Sequence, residues 1–428
     1  MSVTESARAG QRTTMPWPAL LTLAAAVFLS ITLELLPTGL LPEMAAGLGV
    51  GESAIGLTVS VFALTVVLTS APLVALTARV PRRLLLVIVL TVLAVSTIAT
   101  ALAPTYWLLV AVRFAGGLAH GVFWSIVAAE ASRLVPDRLI ARAVAIVIGG
   151  GTLAIVLGVP GATVLGQAFG WRVAFAVVGG LTLAGALAVR VALPKRAGSG
   201  AAAADVSQRG DRADASTAPS TSTDATAATA PHPTAARFRR NDPALGAVLV
   251  VCAVTALTML GQYAVFTYIA PILTDLIGVG ASAVGPLLFV YGAAGAVGLV
   301  ISGSPLARRA TAALLVSMAV IAVALAAIAL VPTQAAGIAA LAAWGLAFGA
   351  LPALLQVRLL RAAPASHRDA ASALYTTGFN AGIGGGALIG AVVFDRVGVG
   401  ALPWVYVVLL VAAAMVLVIG RRLGGSSR

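Results

Sequence analysis

Cysteine occurs once, at Cys252, and lysine once, at Lys195. A single cysteine excludes an internal disulfide framework and a cysteine-ligated zinc site. A single lysine outside any Gly-Lys-Ser/Thr context excludes a phosphate-binding loop as a route to ATP. Histidine is limited to His120, His232 and His367, too sparse for a metal cluster, so neither metal nor cofactor is expected. H-E-x-x-H and G-x-S-x-G are both missing, and the chain does not read as an enzyme. Charge is scarce as well. Ten per cent of the 428 residues are charged and 60% are hydrophobic, against about 25% and 45–50% in soluble domains. With a mean hydropathy of +1.04, a water-soluble protein is excluded.

What the chain has instead is apolar length. A bilayer core of about 30 Å takes about 20 apolar residues per helix, and twelve such runs occur. In the first half they cover 17–40, 54–76, 84–103, 106–129, 143–166 and 173–193. In the second they cover 245–270, 283–302, 310–331, 334–357, 370–394 and 402–420. Continuous apolarity, without alternation at period two, points to helices rather than a membrane barrel. The first run continues past any cleavage point into Glu34 and is read as retained. The fold class expected is therefore an all-α polytopic membrane protein.

The formal net charge of +13 would suggest nucleic acid in a soluble chain. Its distribution gives another answer. With both termini cytoplasmic, all but Arg113, Arg172 and Arg396 of the 27 basic residues fall on the inner side. That asymmetry is the positive-inside rule, and it places the chain in the cell (plasma or inner) membrane with no nucleic-acid partner. Residues 1–16 become a cytoplasmic tail, 17–193 a first six-helix bundle, 243–420 a second, and 421–428 a second cytoplasmic tail. Residues 194–242, rich in Ala, Ser, Thr, Pro and Asp, have too little apolar content to bury and read as a disordered cytoplasmic linker.

The two bundles repeat one another. At a shift of 229 residues, Pro42, Gly49, Val50, Gly51, Ser53, Ala54 and Gly56 fall on Pro271, Gly278, Val279, Gly280, Ser282, Ala283 and Gly285. Ala78-Arg79 falls on Ala307-Arg308, and Gly116 on Gly345. Two halves of like topology imply pseudo-twofold symmetry along the membrane normal, with a site at their interface near the midplane. Halves that rock against each other supply alternating access, so transport of a small molecule leads over a non-transporting receptor.

Several segments carry a resemblance. They are Glu34-Leu-Leu-Pro-Thr-Gly-Leu-Leu-Pro42 in the first span, Arg113-Phe-Ala-Gly-Gly-Leu-Ala-His-Gly-Val-Phe-Trp124 in the fourth and Gly158-Val-Pro160-Gly161 in the fifth, with Gly170-Trp171-Arg172 and Phe175 at the sixth. Gly261-Gln262, Phe266 to Pro271, Trp344-Gly345 through Gln356, and Asn380 onward follow in the second half. On these residues the chain resembles the major facilitator superfamily and its twelve-span drug:proton antiporters, closest to the arabinose, purine-ribonucleoside and chloramphenicol efflux branch. The resemblance implies the major facilitator fold, drug efflux by antiport, a monomer, and a cavity lined by spans one, four, seven and ten. It departs at two motifs. The loop pattern G-x-x-x-D-R-x-G-R-K stands here as Ala78-Arg79-Val80-Pro81-Arg82-Arg83, without its acid, and the second copy at Arg308 lacks it too. The fifth-span motif has Gly158-x-Pro160 in place of adjacent Gly-Pro. Arg79, Arg82, Arg83, Arg308, Gly158 and Pro160 are thus candidates for conformational roles.

Ionisable residues inside a bilayer are expensive and mark function. Glu34, Arg113 and His120 are the three clearly inside spans. Glu34 and Arg113 each stand six or seven residues from the outer boundary, roughly 10 Å deep, so an ion pair is expected, with Glu34 as the protonation site and Arg113 as its charge partner. A static pair joining two helices is the alternative. His120, seven residues beyond Arg113, relays the proton, binds substrate or packs as a hydrogen-bonded core residue. Trp124, Gln262, Phe266, Gln356 and Asn380 are sparse polar groups and aromatics suited to a neutral or weakly polar ligand. The stripe Gly378, Gly382, Gly386 and Gly390 reads as close helix packing. The function expected is substrate:proton antiport. Facilitated diffusion or proton-symport uptake on the same fold is the first alternative, and a receptor is the second.

Overall fold

A computed structural model describes residues 15–193, 243–303, 309–331, 333–364 and 367–425. The expected linker, most of the amino-terminal tail, the end of the carboxyl-terminal tail and Arg308 lie outside the described residues. Twelve helices long and apolar enough to cross a membrane are present among them. In the first half they are α1 Trp17–Gly39, α2 Glu52–Leu76, α3 Arg82–Leu102, α4 Tyr106–Arg133, α5 Ile140–Phe169 and α6 Trp171–Ala192. In the second they are α7 Pro243–Phe266, α8 Val284–Ser302, α9 Ala310–Leu330, α10 Gln334–Ala362, α11 Arg368–Arg396 and α12 Leu402–Gly425. The twelve apolar runs all become helices. Several helices outrun them: α4 continues to Arg133 and α10 to Ala362. An apolar run measures the depth of hydrocarbon, whereas a helix in water stops only where its end is capped or its chain broken.

The internal repeat is visible in the packing. Within the first half, α1 packs on α5 and α6, α2 on α4, and α3 on α4 and α6. Six helices further on, α7 packs on α11 and α12, α8 on α10, and α9 on α10 and α12. The contacts between halves, α2 with α11 and α5 with α8, exchange under the same operation. Backbone detail repeats too. Gly49 and Gly278, 229 residues apart, both turn the chain through positive φ, at 65° and 76°, a conformation that favours glycine. Both first helices break at matching places, α1 at Leu40 before the short helix Leu41–Leu48, and α7 after Phe266 before Ile269–Pro271.

Small residues set the helix separations. Gly382 of α11 faces α7, where a Cβ would lie 2.9 Å from the Ala256 carbonyl oxygen, and Gly386 and Gly390 abut the Leu260 and Ala264 carbonyls. The glycine stripe is thus a packing face, as the sequence suggested. Gly384, on another face of α11, meets Leu64 of α2 and so belongs to the joint between halves. The other joint has Gly292 of α8 against Ile155 and Val156 of α5, and Gly285 against Pro160 and Val164. Beyond these, Ser53 donates to Asp395 at 3.3 Å and Gln167 donates to the Ala281 carbonyl at 2.7 Å. The close contacts between halves therefore run from mid-bundle to the end where α1 finishes and α2 begins. At the opposite end, where the arginines gather, Leu76 of α2 and Val300 of α8 are exposed.

Candidate functional site: a carboxylate, an imidazole and a kinked helix

Three ionisable side chains meet between α1, α2 and α4. The Glu34 carboxylate lies 3.4 Å from Nε2 of His120, with the glutamate side chain 13% and the histidine side chain 5% exposed. The other ring nitrogen, Nδ1, is 3.1 Å from the Ser30 hydroxyl. Ser30 and Glu34 stand one turn apart on α1, so one helix face holds both ends of the imidazole. Phe62 of α2 closes the group from the side, its ring 5.0 Å from that of His120 and 4.5 Å from the Arg113 guanidinium.

Arg113 is where the structure departs from the expected side-chain pair. Its Nη1 donates to the Leu33 carbonyl at 3.1 Å and its Nη2 to the Glu34 carbonyl at 3.0 Å, while the carboxylate takes His120. The cause is Pro37, inside α1. Proline has no N–H, so the carbonyl four residues back, Leu33, loses its helical donor, and the ring pushes the local ladder open. In hydrocarbon an unsatisfied carbonyl is costly, and a planar two-pronged guanidinium fits two adjacent carbonyls. Arg113 Nε remains buried without a protein hydrogen-bond partner.

The second half places a different arrangement beside Tyr263, the position that matches Glu34. Gln262 is fully enclosed: its Nε2 donates to the Tyr291 hydroxyl at 2.8 Å and its Oε1 accepts from Trp344 Nε1 at 2.9 Å. An indole only donates, which fixes the orientation of the amide. Phe266, Tyr291 and Trp344 pack ring against ring, with centroids 5.1–6.3 Å apart. Tyr263, one residue after Gln262, packs on Phe266, with ring centroids 6.4 Å apart.

The remaining candidates are more dispersed. Trp124 is half-buried, its ring 6.2 Å from that of His120. Gln356 is half-buried on α10, one turn past Pro352. Asn380 turns its amide back to the Thr376 carbonyl of its own helix, at 2.9 Å. Gly158 and Pro160 lie where α5 widens into a π-helical turn, Ala154–Gly158, and Gly158 abuts Thr32 and Phe28 of α1. Of the loop arginines, Arg83 donates to the Arg190 carbonyl in the last turn of α6, Arg79 is exposed and Arg82 half-buried. Ser30, Phe62 and Tyr291 were not legible in the sequence. A hydroxyl or ring within an apolar helix resembles its many neighbours until the helix rotation is known.

The Major Facilitator Superfamily model matches residues 23–375. A chloramphenicol efflux pump of Mycobacterium tuberculosis is 34% identical over 397 residues, covering 90% of this chain and 89% of the pump. An uncharacterised MFS-type transporter of Bacillus subtilis is 32% identical over 402 residues, covering 93% and 94%. Among solved structures, a D-xylose-proton symporter superposes with a TM-score of 0.72 at 15% identity, covering 94% of this chain and 97% of that one. A bacterial homologue of the human lysosomal transporter Spinster, inward-facing and unoccupied, gives 0.67 at 16% identity with 96% of each chain covered. These last two bear on fold alone. With twelve membrane-crossing helices in two repeated halves and a family match over most of its length, the chain belongs to the major facilitator superfamily of membrane transporters.

Proposed function

We propose that this transporter exports a small organic molecule of the chloramphenicol type in exchange for protons, from the cell membrane, with both termini cytoplasmic. The observation that carries the reading is the Glu34 carboxylate, set within the bundle against an imidazole rather than a fixed cation. An acid held by a neutral base can take and release a proton without breaking a full ion pair. A neutral imidazole offers one donor and one acceptor. With Glu34 ionised, His120 donates through Nε2 and accepts from Ser30 at Nδ1. With Glu34 protonated, the carboxyl donates to Nε2 and Nδ1 donates to the serine oxygen. The two protonation states thus correspond to the two tautomers of one ring. Arg113 holds the kinked main chain, and its remaining Nε–H is available to the carboxylate when α1 and α4 shift. The arginine-rich end, the more open one, is then the cytoplasmic face, and one chain suffices for the cycle.

The sequence likeness to a chloramphenicol efflux pump supports this substrate class, and Trp124, Phe266, Gln356 and Asn380 supply an aromatic and amide lining for a neutral aromatic drug. Gln262 joins them only where a ligand replaces Tyr291 or Trp344 as its partner. Proton release on adding chloramphenicol to purified, weakly buffered protein tests the reading. Wild type should release protons and Glu34→Gln should bind the drug without release. Binding with no release from wild type would replace antiport by facilitated diffusion, uptake or a receptor.

A further inference from the structure

Away from the central site, a cavity of about 620 Å³ opens at the arginine-rich end of the second half. It lies between the start of α7 (Ala247, Val250), Arg309 and the first turn of α9 (Thr311), the last turns of α10 (Arg358, Arg361) and the end of α12. Its volume is in the range of pockets that hold a whole small molecule rather than an ion. Arg358 reaches across to the Thr311 hydroxyl, which braces α10 against α9. Among the described residues no carboxylate comes within salt-bridge distance of Arg309 or Arg361. The α9 amino terminus, preceded by Arg309 and without a side-chain cap, adds its positive dipole end. The opposite wall is aliphatic. Charge here is concentrated and set beside apolar surface at a helix-bundle end.

We infer that this cavity is a binding site for a phosphate-bearing anion, with Arg309 and Arg361 as its primary ligands and the Ala247–Val251 wall beside them. Two guanidiniums suit phosphate through paired, charge-assisted hydrogen bonds. The same chemistry is presented by an anionic lipid headgroup at the membrane surface and by a soluble phosphate. A basic recess between helices at a membrane-water boundary, with an aliphatic wall, fits a headgroup whose acyl chains run down the bundle.

Native mass spectrometry of the full chain in detergent, with phosphatidylglycerol, phosphatidylcholine or inorganic phosphate added, tests the site. Wild type should retain phosphatidylglycerol at least tenfold more tightly than phosphatidylcholine, and Arg309→Gln with Arg361→Gln should abolish the preference. Arg79→Gln with Arg82→Gln removes equal charge elsewhere and should leave it intact. Arg309→Lys with Arg361→Lys keeps the charge and should retain part of it, which separates ligand loss from misfolding. Displacement of the lipid by millimolar phosphate, or arginine-dependent phosphate binding alone, would assign the site to a soluble anion. Equal retention by wild type and the double glutamine variant would overturn it.

Discussion

At the scale of the residue, Arg113 is bound to the consequences of Pro37. The guanidinium replaces a helical donor that proline cannot provide, so the two residues should be energetically coupled. Arg113→Gln should cost about 1.5–3 kcal/mol, the usual worth of hydrogen bonds to a charged group. Pro37→Ala restores an N–H for Leu33, and in that background the same change should cost less by about 1 kcal/mol or more. Thermal denaturation of the four proteins in one detergent gives the cycle; strict additivity would remove the arginine from the role described. Sequence reasoning found Glu34, Arg113 and His120 because intramembrane charge is rare. It paired the wrong atoms because depth along a helix is legible and rotation about it is not. Which side of α4 faces the Glu34 carboxylate depends on how Gly116 and Gly117 let that helix settle on Phe62 and Thr65 of α2.

At the scale of the element, the joints between halves are made by glycine against main chain. Gly292 has no room for a side chain: a Cβ would stand 2.6 Å from the Ile155 carbonyl oxygen. Gly292→Leu should force α8 from α5 and disfavour the closed joint while each half remains folded. Spin labels at Phe169 and Val397, both exposed and in different halves, should then report longer distances, with Cys252 replaced to keep labelling specific. Unchanged distances would mean that α5 yields instead. Drug transport should fall at least tenfold, since a cycle needs both states. The existence of these helices was legible residue by residue from hydropathy. The π-helical turn at Ala154–Gly158 was not, although Gly158 and Pro160 marked the place. A missing proline N–H shows where a ladder is interrupted, without showing whether the helix kinks or widens.

At the scale of the whole molecule, the closed end gathers carboxylates from both halves: Glu43 and Glu52 from the first, Asp275 and Asp395 from the second. Burial raises the Glu43 carboxyl above its ordinary range, partly offset by its hydrogen bonds, one of them from Gln167. The sign follows from linkage. A carboxyl whose value is raised on closure binds its proton more tightly in the closed form, so closure is favoured below that value and weakened as pH rises through it. The Phe169–Val397 distance should therefore lengthen between pH 5 and pH 8, and Glu43→Gln should flatten the response. No change with pH in wild type would leave the acids without influence on closure. That two halves would form was legible from the 229-residue shift. That their acids would meet was not, because the repeat relates the halves without stating how far they are tilted.

The packing symmetry also has a consequence in time. Apart from α2, which packs on α11 as extensively as on α4, every helix of the first half finds its main neighbours within that half, so α1 to α6 can assemble before the rest of the chain exists. At about 5–20 residues per second of synthesis, the remaining residues take on the order of ten to fifty seconds, long beside helix docking. The first bundle is thus set to be folded and waiting when the second emerges, and the chain's two gene-sized pieces, made separately in one cell, should find each other.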